Sequence, residues 1–292
     1  MTNRVRLSIA IAIVATFLVV ELVGALLAGS LALLADAGHM FSDLLGLVVA
    51  LVALGIAARP ATDRQTFGYQ RAEVFGALAN GVILLGVAVY VAIEGVQRLF
   101  EPSPVVAVPM LIVAGVGLLA NIAVMLVLRD AATLSIGMRG AYLEVLGDLL
   151  GSVAAVVAGV VILTTGFTRA DAIASLVIAA LIVPRACALL RDVFHVLSQG
   201  VPSNMNVAEI REHLLGASGV IDVHDVHVWA ITSGAPVFSA HVVVSKALFE
   251  SGGAARLLDE LSACMTGHFD VEHSTFQLEP EEHAEQEEFF HR

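Results

Sequence analysis

Charge is scarce in this chain. Of 292 residues only 14% are Asp, Glu, Lys or Arg, against 58% hydrophobic and a mean hydropathy of +0.88. That balance excludes an ordinary soluble globular fold, in which about 25% of residues are charged, and identifies a chain solvated largely by lipid. Cysteine is scarcer still. Cys187 and Cys264 lie far apart and fit no CxxC pattern, so neither a disulfide framework nor a thiolate metal site is supported, and buried, inert thiols are expected. Enzyme signatures are missing as well. No HExxH, GxSxG or Gly-rich phosphate loop accompanies the ionisable residues, and an intramembrane hydrolase would need a nucleophile or metal-bound water that the sequence does not supply.

A bilayer-spanning helix needs roughly 20 mostly apolar residues. Stretches of that kind run over 7–28, 34–57, 74–97, 105–128, 142–165 and 170–190, which predicts six spans. The first follows a charged start too closely, is too long, and lacks a small-residue cleavage site, so it reads as a retained helix and not a removable signal. Between the spans, Arg4, Arg6, Arg59, Arg64, Arg71, Arg129, Arg139, Arg185 and Arg191 fall on one side, and only Arg98 and Arg169 on the other. The excess of arginine predicts that both termini are cytoplasmic.

The few ionisable residues inside the spans carry the chemical information. A lone charge at mid-membrane costs about 2.5–3.5 kcal/mol on insertion scales, so such residues face a cavity, pair, or bind an ion. In the second span His39 and Asp43 stand at i and i+4, on one helical face; in the fifth, Glu144 and Asp148 repeat the spacing. Two facing helices that each offer such a pair can close four ligands around one cation, as in bundle metal sites. An imidazole with carboxylates suits a tetrahedral divalent ion such as Zn²⁺. Asp36, one turn from His39, is placed at the mouth of the site or in support of its ligands. Glu21, Asn80, Glu94, Asn121 and Asp171 are read first as interhelical hydrogen-bond partners, with interfacial or pathway roles as the alternatives. Gly147 and Gly151 allow helices to approach beside the site, although packing alone would explain them.

Past Gly200–Ser203 the period changes. NVAEIREHLLGA and AARLLDELSACMTGHF read as amphipathic helices; IDVHDVHVWAI, PVFSAHVVV and VEHSTFQLE read as strands. The order αββαβ predicts a small α+β domain. The expected organisation is a membrane all-α six-helix bundle over 1–200, a cytoplasmic α+β domain over 201–280, and an acidic tail over 281–292. Nearly all of the net charge of −12 lies beyond Ser203, where 15 acidic residues face Arg211, Lys246, Arg256 and Arg292. This argues against nucleic acid as a partner and draws cations, or it is a solvated surface. His224, His227, His241 and His273 fall on the three strands. By strand alternation His224, His241 and the last strand can gather an imidazole-carboxylate site, while the odd spacing of His227 from His224 puts it on the other face. His283 and His291 of the tail carry little weight as ligands.

The segments ADAGHMFSD, TFGYQRAEVFGALANG, MRGAYLEVLGDLLGS, VHDVHVW, SAHVVV and EHSTFQLE occur in an order that resembles the cation diffusion facilitator transporters, from about Leu7 to Glu279. The resemblance implies a homodimeric six-helix transporter in the cell (inner) membrane, exporting Zn²⁺ or a related divalent cation from the cytoplasm in exchange for protons. Its transport site would fall on His39, Asp43, Glu144 and Asp148. Its cytoplasmic domain would have a metallochaperone-like fold and bind regulatory or stabilising metal through His224, His241, His273 and Glu279. Many zinc exporters of the family have histidine where this chain has Glu144, and three carboxylates admit Mn²⁺, Fe²⁺, Co²⁺ or Cd²⁺. A histidine-rich loop between the second and third helices, found in some members, is absent from ARPATDRQTFGYQ, where Asp63 stands alone. The competing reading is a membrane metal sensor whose cytoplasmic histidines signal without coupled transport.

Overall fold

The structure, a computed structural model, describes residues 3–56, 61–129, 136–232 and 234–284. Arg59 and the tail from 285 to 292, with His291, lie outside the described residues, as do the side chains of Arg4, Arg6, Arg129, Arg139 and Glu144. The chain divides into two compact units, Met1–Gly68 with Phe75–Arg191, and Tyr69–Val74 with Asp192–Arg292.

The long helices among the described residues are α1 (Asn3–Ala28), α2 (Leu31–Ile56), α3 (Arg71–Phe100), α4 (Ala107–Arg129), α5 (Ile136–Thr165) and α6 (Arg169–Leu197). At about 1.5 Å per residue each exceeds the ~30 Å hydrocarbon layer. Among the described residues, α3, α6 and the Leu146–Thr165 part of α5 are long and apolar enough to cross a membrane by length and composition. Shorter apolar stretches cover Val14–Ala28 and Ala107–Ala123. Several helices outrun their apolar segments. α3 starts three residues before Val74, with Glu73 in its first turn and Arg98 in its last, charges that complement the helix dipole.

Side-chain size is inverted relative to a soluble core. Many buried positions are small, among them Ala28, Ala32, Ala35, Ala88, Ala155 and Ala186, beside a few large ones such as Leu31, Leu33 and Met110, while Leu26, Leu27 and Leu119 are exposed at 71%, 70% and 68%. Lipid tails are as apolar as leucine, so helices associate here through close van der Waals contact and not through expulsion of water. α1 packs on α2 and α4, α4 on α5, and α2 on α5. Gly38 of α2 sits directly against Val87 of α3, where a Cβ would overlap it, and Gly159 of α5 makes the same approach to Leu111 of α4.

One clasp ties three chain segments together. Gly29, at φ 65°, ends α1 in the left-handed region that glycine adopts without strain, and Ser30 opens α2 by accepting the Leu33 N–H at 3.2 Å. Asp171, in the first turn of α6 and fully buried, accepts the Ser30 hydroxyl at 2.5 Å, the Leu31 N–H at 2.7 Å and the Ala32 N–H at 3.2 Å. Arg98 at the end of α3 donates to the Gly29 carbonyl at 2.8 Å and stands 3.9 Å from Asp171. A carboxylate thus serves the free amides at the start of a neighbouring helix, which also favour negative charge.

In the second unit α7 (Val207–Leu215) and α9 (Ala254–Phe269) cover a sheet of β1 (Val220–Ala230), β2 (Pro236–Val244) and β3 (His273–Pro280), with short helices α8 (Lys246–Glu250) and α10 (Glu281–Ala284) added to the expected αββαβ order. The sheet order is β1-β2-β3, antiparallel then parallel. A parallel neighbour needs a crossover, which α9 provides. Leu257, Leu261 and Met265 share one face of α9 and meet Ile210, Leu214, Val223, Phe238 and Val242 in the core.

Asp171→Ala would strand the Ser30 hydroxyl and two amides in a dry site, at about 1–3 kcal/mol for each unsatisfied group. The expected outcome is a large fall in the thermal unfolding midpoint of the detergent-solubilised protein, with a smaller fall for Ser30→Ala.

Candidate metal centres

Helical periodicity alone puts His39 and Asp43 on one face of α2, and the packing of α2 on α5 brings Asp148 to them. His39 Nε2 lies 3.0 Å from Asp148 Oδ1 and 3.8 Å from Asp43 Oδ2. Ligand atoms of all three residues fall within 4.8 Å of one another. Bonds of about 2.0–2.1 Å at tetrahedral angles place neighbouring ligand atoms roughly 3.3–3.4 Å apart, and the observed separations bracket that value. His39 is buried, and its Nδ1 meets no hydrogen-bond partner among the described residues, so every polar contact of the ring is made by Nε2. A cavity of about 20 Å³ touches Asp36, His39, Asp148 and Arg185, room for a single ion or water. Glu144 belongs to α5 one turn before Asp148, with its side chain outside the described residues.

Arg185 is the residue that sequence order hides. Counting basic residues between spans assigns it to a cytoplasmic loop, but it lies inside α6, immediately after Pro184. Its Nη1 stands 3.2 Å from Asp148 Oδ1 and 3.2 Å from His39 Nε2. Gly147 makes this possible, because a Cβ there would overlap the guanidinium. The available signal was an arginine within the apolar run 170–190. Asp36 is buried beside the cluster and faces Glu21 of α1, itself buried. Asn80 and Asn121 join helices as expected: the Ser42 hydroxyl of α2 donates to Asn80 of α3 at 2.8 Å, and Asn121 of α4 donates to Ser152 of α5 at 3.1 Å. Glu94 instead accepts from Arg98 at 2.9 Å within α3, an i, i+4 pair on a single helix.

In the second unit the β1/β2 register sets His224 opposite His241, with ring centroids 5.2 Å apart. Glu279 of β3 approaches His224 Nε2 at 2.6 Å and His241 Nδ1 at 3.6 Å. The 2.6 Å approach lacks hydrogen-bond alignment, and Glu279 is 1% exposed. Among the described residues no donor is aligned on this buried carboxylate, which is costly, and a cation held with both imidazoles would offset that cost. These three residues form the cluster; His273 does not join it. His273 pairs with Val237 at the opposite end of β3, six residues or roughly 20 Å along the strand from Glu279. His283 of α10, just past the end of β3, comes within 3.8 Å of Glu279 Oε2.

Strand parity misplaces His227. Asp225 adopts φ 46° and the register slips between His224 and His227, so His227 pairs with Ser239 and shares the sheet face of His224 and His241. A β-bulge inserts one residue and reverses the alternation beyond it. Neither cysteine is buried as expected: Cys187 is exposed and Cys264 is half-buried.

Apolar helices packed through small residues, with acidic and imidazole side chains gathered between them and a second such cluster on a three-stranded sheet, are the architecture of an integral membrane protein with groups able to hold cations. Residues 7–198 match the cation efflux transmembrane domain, and residues 202–281 match the cytoplasmic domain of cation efflux proteins. The chain belongs to this family, the cation diffusion facilitators, which are metal transporters and not enzymes. It is 39% identical to the metal cation efflux system protein CzcD of Cupriavidus metallidurans over 277 residues, covering 95% of this chain and 87% of the relative. It is 36% identical to the cadmium, cobalt and zinc/H⁺-K⁺ antiporter of Bacillus subtilis over 286 residues, with 96% and 90% covered. The zinc transporter ZitB of Pectobacterium atrosepticum is 40% identical over 279 residues, with 95% and 86% covered.

If the sheet cluster holds an ion, Zn²⁺ at a hundredfold excess over Kd stabilises the bound fold by about 2.7 kcal/mol. Amide hydrogen exchange of β1–β3 in the full chain is expected to slow on Zn²⁺ addition, and Glu279→Ala to abolish that slowing while Asp148→Ala preserves it.

Proposed function

We propose that this transporter exports Zn²⁺ or a related divalent cation from the cytoplasm in exchange for protons, using His39, Asp43, Glu144 and Asp148 as the transport site. The observation that carries the proposal is the convergence of His39, Asp43 and Asp148 within one ligand sphere between α2 and α5. The names of the relatives, two of which specify zinc and one proton-coupled antiport, support the same reading. In this proposal residues 1–200 form a six-span transport unit, 201–280 a cytoplasmic domain that binds a regulatory ion through His224, His241 and Glu279 and dimerises, and both termini face the cytoplasm of a cell whose inner membrane holds the protein.

Ligands bind metal only when deprotonated, so metal and protons compete for the same residues by linkage. His39 is suited to that exchange because an imidazole titrates near physiological pH in water. Three carboxylates exceed a divalent cation by one negative charge, and Arg185 supplies the missing positive one. The guanidinium keeps the loaded site near neutral and weakens its hold on the ion, which lets cargo leave as well as enter.

In proteoliposomes with an imposed pH gradient, Asp43→Ala and Asp148→Ala are expected to abolish metal uptake. Wild-type rates in both variants would overturn the assignment, and stoichiometric metal binding without gradient-driven flux would favour the sensor. In the same assay Glu144→His is expected to raise the preference for Zn²⁺ over Mn²⁺, since an imidazole replaces a harder oxygen ligand. Arg185→Gln is expected to tighten equilibrium Zn²⁺ binding, measured calorimetrically, by on the order of tenfold or more, because a repelling charge about 4 Å away is removed.

A further inference from the structure

A third group of metal-ligating side chains lies in the second unit, on the helical side of the sheet and away from Glu279. Cys264 and His268 stand one turn apart on α9, with Cys264 Sγ 3.6 Å from His268 Nδ1. Zn–S of about 2.3 Å and Zn–N of about 2.0–2.1 Å at a tetrahedral angle place sulfur and nitrogen roughly 3.5–3.6 Å apart. The pair therefore already has the separation of two ligands on one ion. His213 of α7 brings its ring within 5.2 Å of His268, tilted by 45°. Its Nδ1 is engaged with the Glu209 carbonyl at 3.2 Å, which leaves Nε2 as the ligand nitrogen. Both rings also lean on Phe269, His213 edge-on at 5.1 Å.

These residues line an open groove of about 800 Å³ together with Glu209, Glu212 and Glu260. The carboxylates favour a cation, and the N₂S donor set favours a borderline or soft one. Burial and the nearby Glu260 carboxylate push the Cys264 thiol up, so without metal it remains protonated against His268. We propose that His213, Cys264 and His268 form an additional metal site for Zn²⁺ or Cd²⁺, separate from the intramembrane ligands and from the His224–His241–Glu279 cluster. On binding, the sulfur–metal bond forms as the thiol proton passes to solvent, and the exposed His213 side chain turns to bring its ring nitrogen to the ion as the third ligand. The site ties α7 to α9, so its occupancy reports cytoplasmic metal on the helical face of the domain.

The test uses the full chain in detergent with Cys187→Ser, leaving Cys264 as the remaining cysteine. Cd²⁺ is titrated while the thiolate-to-cadmium charge-transfer absorption is followed in the near ultraviolet. Neither of the other clusters contains sulfur, so this signal is specific to Cys264 whether or not the protein transports. The expected band saturates at the amplitude of one thiolate–cadmium bond per chain, disappears in Cys264→Ser, and persists in Asp148→Ala and Glu279→Ala. His213→Gln and His268→Gln, both surface changes, are each expected to weaken the apparent Kd about tenfold or more. Absence of the band would overturn the proposal, and so would a band of unchanged affinity in the protein carrying both histidine substitutions, which would reveal a bare thiol.

Discussion

Every polar feature of the membrane unit answers to the cost of holding ionisable groups where water is absent. A bundle of apolar helices can keep His39, Asp43 and Asp148 only if they share charge with one another or with a counter-charge. Arg185 meets that requirement from α6, with its nitrogen equally close to His39 and Asp148. The same rule explains the clasp around Asp171, a carboxylate that survives complete burial because it receives a hydroxyl and two backbone amides. One carboxylate is held by fixed donors, and the other by a neighbouring imidazole and guanidinium. In the proposed transport cycle that difference separates a structural acid from a ligand that exchanges cargo.

Close approach follows from the same solvent. With no hydrophobic gain from burying leucine against leucine in lipid, the bundle buries alanine and glycine and turns its bulk outward. Gly147 shows how packing and chemistry merge. The missing side chain gives the Arg185 guanidinium its place beside Asp148, and the glycine spacing that lets helices meet also admits a charge to the site. In the cytoplasmic unit the arrangement is reversed, with a leucine- and valine-rich core between helices and sheet and the ligand clusters outside it.

Much of the molecule is legible from local pattern. Helical period makes His39 with Asp43, Glu144 with Asp148, and Cys264 with His268 into neighbours before any fold is known, since residues four apart on a helix share a face. The apolar stretches locate the long helices, although α3, α5 and α6 run past them because polar helix ends can leave the lipid without unwinding. Parity along β1 fails at one residue. Asp225 in the left-handed region adds a bulge that turns His227 to the face of His224, and no alternation rule registers such an insertion.

By itself the sequence determined the solvent of each half, the spacing of the ligand pairs and the family, because hydropathy and i, i+4 geometry are local properties of the chain. Only tertiary structure decided which residues complete each centre. Arg185 reaches Asp148 across α5 and α6, Glu279 reaches His224 across three strands while His273 is carried away, and His213 meets His268 from a separate helix. Those meetings depend on which faces pack together and on the register in which they do so, and both are set by long-range contacts that spacing along one element cannot encode.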